Sequence, residues 1–93
     1  MNDEFQYKID LARIYSVDEF QDVLREALPL PEYYGGTLDA LYDVFTDQGR
    51  KWSIYFTGCA EAEAILGKYM RNFKKMCERA TKEAPDMIIV FED

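Results

Sequence analysis

Three short segments of strand character, separated by helical pattern and never by a hairpin turn, restrict this 93-residue chain more than any other feature. Phe5 to Leu11 alternates, with Phe5, Tyr7, Ile9 and Leu11 on one side and Gln6, Lys8 and Asp10 on the other. Trp52 to Phe56 (WSIYF) is β-branched and aromatic, lies after the charged turn of Arg50 and Lys51, and is broken by Gly58. Met87 to Phe91 (MIIVF) is a continuous apolar run, as in a strand buried on both faces. Antiparallel neighbours can be joined by two residues, whereas parallel ones need a crossover of a dozen or more, usually a helix. The expected fold is therefore α/β: a small three-stranded parallel sheet with right-handed crossovers, packed with three to four helices.

The helical stretches carry their own signals. Ser16-Val17-Asp18-Glu19 matches a capping box, and the helix it opens runs to about Ala27 with Phe20, Val23, Leu24 and Ala27 inward. Pro29 stops it. From Ala60 to Ala80 the apolar positions Ala62, Ile65, Leu66, Tyr69, Met70, Phe73, Met76, Cys77 and Ala80 keep helical spacing. Gly67 is expected to kink this stretch or to split it in two. Its outer face carries Lys68, Arg71, Lys74, Lys75 and Arg79, which reads as a solvated face before it reads as a phosphate site. Pro85 ends the helical region. The order is β-α-loop-α-β-α-β.

Between the first helix and the second strand lies Leu28 to Asp47, LPLPEYYGGTLDALYDVFTD. Pro29 and Pro31 fix φ and remove donors, and Gly35-Gly36 permits a turn, so the approach is a shaped loop. Thr37 is the expected N-cap, with Asp39 in the first turn, and the helix is expected to end near Gly49. Leu38, Leu41, Val44 and Phe45 face a core. Asp39, Asp43 and Asp47 recur at i, i+4, i+8, about 6 Å apart along one side. Tyr42 flanks them, and Tyr33 and Tyr34 are expected at the mouth of the loop. Like charges at this spacing cost a few tenths of a kcal/mol per pair, so the acidic row suggests a use. The plainer reading is a solvated helix face whose tyrosines half-bury.

Composition and charge exclude several function classes. With 48% apolar and 15% aromatic residues the chain is too rich for disorder, and its length suits one domain over 1–93 with one modest core. No run of eighteen apolar residues exists, and the polar start MNDEFQYKID lacks the pattern of a secretory signal. A cytoplasmic location is expected, with Cys59 and Cys77 reduced and buried as small hydrophobes. Residues 1–47 hold eleven acids and three bases, a net of −8, and the rest seven acids and eight bases, a net of +1. Such an acidic half repels nucleic acid and anionic membranes and attracts a basic protein. Without histidine the chain lacks the usual general base and the commonest metal ligand. Asp39 and Asp43 on an exposed helix face lack the enclosing pocket that sets two carboxylates apart. No catalysis, cofactor or metal is expected; a protein-binding module is.

The segment LREALPLPEYYGGTLDALYDVF, and within it LPEYYG-x-x-LDALYD, resembles the barstar family of intracellular ribonuclease inhibitors. The likeness extends more loosely over the whole chain and implies a barstar-like fold. It further implies that loop and acidic helix lie across a ribonuclease active site, with carboxylates in the place of RNA phosphates. By matching positions, Asp43 is implied to enter the phosphate pocket and meet catalytic Arg, Lys and His groups. Asp39 would be a second charged contact and Tyr33 the loop aromatic that packs on the enzyme. Gly35, Thr37, Tyr42 and Asp47 complete the implied surface. The implied partner is a basic, extracellular-type ribonuclease bound 1:1 by a monomer. The alternative is an immunity-type or regulatory module for another basic protein. The chain departs from the family pattern at Tyr42 (tryptophan there), Thr37 (asparagine), Gly36 (glutamate) and Arg79 (an acidic contact). These changes bear on which ribonuclease is the target.

Overall fold

Seven elements follow one another in the computed structural model, which describes residues 5–93: β1 (Gln6–Asp10), α1 (Val17–Ala27), α2 (Leu38–Asp47), β2 (Ser53–Thr57), α3 (Cys59–Leu66), α4 (Lys68–Glu83) and β3 (Ile88–Phe91). Met1 to Glu4, the first part of the polar N-terminal stretch, lie outside the described residues. The sheet is parallel with order β1-β2-β3, so the middle strand in sequence is also the middle strand in space. Gln6 pairs with Ser53 and Asp10 with Thr57 on one side; Ser53 pairs with Ile88 and Phe56 with Phe91 on the other. The expected α/β fold, a three-stranded parallel sheet with four helices, is the one found.

Alternation decides which face is covered. Ile9, Ile54 and Phe56 are buried, with Tyr7, Ile89 and Phe91 partly buried on the same side. The residues of opposite parity, Gln6, Lys8, Asp10, Ser53, Tyr55, Thr57, Ile88 and Val90, are exposed or half-buried. The helices therefore lie on one face, and the other has no cover among the described residues. This corrects the expectation for MIIVF: β3 is an edge strand buried on one face only, and Ile88 is 49% exposed. Phe5, expected inward, is also exposed and lies just before β1.

Phe73, on α4, is the hub of the core. Its ring meets Phe20 edge-on at 4.9 Å, Phe56 at 5.2 Å and Phe91 at 6.0 Å, tying α1, β2 and β3 to one helix. Gly67, with φ of 54°, splits the long helical stretch into α3 and α4. The break resets the helical phase, which leaves Ile65 half-exposed although the continuous spacing placed it inside. Glu63 bridges the two helices, with Lys74 Nζ at 3.1 Å from its carboxylate.

Two local devices shape the ends of elements. Ser16 Oγ accepts from the Glu19 N–H at 3.1 Å, while the Glu19 carboxylate accepts from the Tyr15 N–H at 2.7 Å, one residue before the cap. Helix α2 has no basic residue in its last turn, but Arg50 supplies the charge from beyond it. Its guanidinium donates to the Thr46 carbonyl at 2.9 Å and to the Glu83 carbonyl at 3.2 Å, closing the C-termini of α2 and α4 together.

Gly58 is the single residue between β2 and α3, at φ of 71°, and an added Cβ would lie 2.5 Å from the Ala12 nitrogen. Both the left-handed backbone and the pressed neighbour oppose a side chain. Gly58→Ala is expected to lower stability by at least about 1–3 kcal/mol. Urea denaturation would show the midpoint falling at constant slope, and an unchanged midpoint would refute the close packing at this corner.

Candidate functional site

The loop from Pro29 to Gly36 and the helix after it form one surface with one internal anchor. Thr37 caps α2 as expected, its Oγ1 accepting from the Ala40 N–H at 3.0 Å. Leu41, Val44 and Phe45 are buried; Leu38, expected beside them, is only half-buried and borders a surface groove. Asp39, Asp43 and Asp47 are all exposed. Among the described residues none of the three takes part in an ion pair; the paired carboxylates are those of Asp22 and Glu63.

The two adjacent tyrosines part company. Tyr33 is 81% exposed, at the mouth of the loop as expected. Tyr34 is not at the mouth: it is buried, with only 8% of its surface open. Its hydroxyl donates to Gln21 Oε1 on α1, and Gln21 Nε2 donates to Tyr69 Oη on α4 at 2.7 Å. Tyr33 lies within the turn that the Tyr34 N–H closes on the Pro31 carbonyl, so its ring projects outward while Tyr34, at the turn's end, faces in.

Six of the seven candidate residues fall into two groups, and the seventh, Thr37, is the exposed cap of α2. Tyr33, Gly35, Asp43 and Asp47 line one cleft of about 190 Å³ with Tyr34, Val44 and Gln48. Asp39 instead borders a groove between α2 and α4 with Asn72, Lys75 and Arg79. Tyr42 is half-buried beneath Arg79, whose guanidinium carbon is 4.7 Å from the ring centroid. Arg79 is thus a packed side chain at the edge of the candidate surface, not part of a purely solvated face. The acidic row is continuous along α2, but its first carboxylate borders a groove lined by Lys75 and Arg79, whereas the cleft of its last two has no Lys or Arg in its lining.

Burial holds the Tyr34 phenol above its ordinary 10.0, at about 12, with Tyr69 adding to the shift and Arg25 and the Gln21 hydrogen bond opposing it. Burial raises Tyr69 as well. In the unfolded chain both phenols ionise near 10. Below pH 10 their contribution to stability is complete; between 10 and 12 the unfolded state releases protons that the native state keeps, and stability falls. Denaturant midpoints from pH 9 to 11.5 should therefore drop more steeply for the native sequence than for Tyr34→Phe. Parallel slopes would show that Tyr34 does not carry the effect.

Burial also raises both thiols, Cys59 and Cys77, which are free and under 2% exposed, so neither is a ready nucleophile. Among the described residues no cluster of three or more His, Cys, Asp or Glu could hold a metal ion, and no helix is long and apolar enough to cross a membrane. The site can present carboxylates and an aromatic ring to a surface.

Sequence reasoning missed Gln21. The signal was there, since Gln21 shares the inner face of α1 with Phe20 and Leu24, and a polar residue on an apolar stripe needs a partner. Among curated proteins no relative matches the chain. A family model described as Barstar (barnase inhibitor) matches residues 5–92.

Proposed function

The chain belongs to the barstar family, and on that footing we propose that it captures a basic ribonuclease 1:1 by laying its loop and α2 across the enzyme's active site. Asp43 enters the pocket that holds an RNA phosphate, and Asp39 makes a second charged contact. Tyr33 packs on the enzyme surface, while Gly35, Thr37, Tyr42 and Asp47 border the contact. Charge-assisted bonds between carboxylates and guanidinium forks supply strength and orientation. The inhibitor acts as a monomer in the cytoplasm, without catalysis or cofactor, and protects its cell until the ribonuclease is exported.

The observation that carries this reading is the exposed row of Asp39, Asp43 and Asp47, in no ion pair among the described residues, beside an exposed Tyr33 whose neighbour is anchored inside. Like charges along a helix lower stability, and they are released from that cost when cations meet them. Calorimetric titration against barnase, at low and moderate salt with RNA cleavage followed in parallel, tests the reading. Tight 1:1 binding that weakens with salt and stops cleavage is expected. Absence of binding would remove barnase-type enzymes as the target and leave another basic protein.

A further inference from the structure

Between Pro29 and Thr37 only Tyr34 is buried. Leu30 packs against the core before the turn, and from Pro31 to Gly36 Tyr34 is the residue that is buried, so the shape of the turn depends on how Tyr34 is held. Gln21 is the buried polar residue of the core, 3% exposed, and no buried side-chain nitrogen or oxygen among the described residues lacks a partner. Its amide accepts from the Tyr34 hydroxyl and donates to Tyr69 Oη, so three segments meet at one side chain. A carboxamide suits this place because it offers an acceptor and a donor at once. Arg25 closes the anchor from outside, its guanidinium carbon 5.4 Å from the Tyr34 centroid and its Nη2 2.8 Å from where a Cβ on Gly36 would sit. The Tyr34 N–H donates to the Pro31 carbonyl at 3.0 Å, which closes the turn that carries Tyr33.

We propose that Gln21 is a positioning residue for partner recognition: from inside the core it holds the Pro31–Gly36 turn in its binding shape before any partner arrives. The part of this that concerns recognition rests on the ribonuclease reading above; the shaping of the turn does not. A preshaped loop has less freedom to lose on binding, so encounter converts to capture more often. Tyr69, from α4, completes the anchor and couples the loop to the far side of the core.

Amide hydrogen exchange on the free protein decides the first part. In Gln21→Leu the Tyr34 amide should exchange about tenfold faster relative to the β2 amides of Ile54 and Phe56, as for loss of one net hydrogen bond. Equal acceleration of the turn and the sheet would mean that Gln21 only stabilises the fold, and no change would mean that it holds nothing; either overturns the proposal. Should Gln21→Leu not fold, Tyr34→Phe removes a single oxygen from the same anchor, with the same selective acceleration expected. The second part is read with barnase as the probe: slower association by the folded variant at unchanged dissociation supports the role in recognition. Unchanged association despite a loosened turn overturns it. If the native protein does not bind barnase, the ribonuclease reading falls, while the exchange result still decides whether Gln21 shapes the turn.

Discussion

Replacing Asp43 by alanine is expected to raise the Kd of the proposed ribonuclease complex by roughly 10²- to 10⁴-fold, as for removal of one partner from a desolvated charge pair at about 3–5 kcal/mol. Most of the loss should appear as faster dissociation, because the pair forms only once the surfaces have docked. The free protein should move the other way. Asp43 is exposed, stands between Asp39 and Asp47, and pairs with no cation among the described residues, so its removal relieves repulsion by a few tenths of a kcal/mol. Opposite signs for binding and stability would mark a residue kept for contact. Inhibition by Asp43→Ala equal to that of the native protein would remove this carboxylate from the interface.

The largest expected effect on stability belongs to Phe73→Ala. Fully buried, the ring touches Phe20, Phe56 and Phe91, and no neighbouring backbone can collapse into the space without moving a strand or a helix. A cost of about 3–5 kcal/mol follows. For a domain of this size that is a fall in Tm of roughly 15–35 °C, close to the whole margin of stability. Thermal unfolding followed by circular dichroism checks it. Ile65→Ala, at the half-exposed end of α3, should shift Tm by a few degrees at most. Similar losses from the two would contradict the packing described around Phe73.

These contrasts show what could be read from residues alone. The strands were legible because alternation and β-branched runs have a period, and the helix starts because Ser16 and Thr37 are followed by donors their oxygens can satisfy. Gly67 was legible as a break, though not as a change of phase that turns Ile65 outward. The apolar run in β3 misled for a definite reason. Continuous hydrophobicity signals two covered faces, but with three strands and helices on one side, β3 has a covered face and a bare one. Of the site, the acidic row followed from spacing, whereas the division between the Asp43 cleft and the Asp39 groove did not. It depends on where α4 lies, and spacing along one helix says nothing about its neighbour. Tyr33 and Tyr34 are chemically identical, so only the presence of Gln21 beneath one of them separates the anchored ring from the exposed one.

The parallel sheet also sets a timetable for folding. Gln6 has no strand partner until Ser53 has been made, and Gln21 must wait 48 residues for Tyr69. Helices α1 and α2 can flicker into existence early, but the pairings that fix them are distant in sequence, which places the chain among slower-folding topologies of its size. Thr37 caps its helix from the start of folding, since its bond to Ala40 is local. The turn displaying Tyr33 is different, because its anchor is completed only when α4 docks. A nascent chain on the ribosome would thus expose the acidic helix before it had a shaped loop beside it. Competence to bind should arise late and all at once, together with the docking of α4 that brings Tyr69 to Gln21. In stopped-flow refolding, recovery of inhibition should coincide with the main folding phase and show no earlier one.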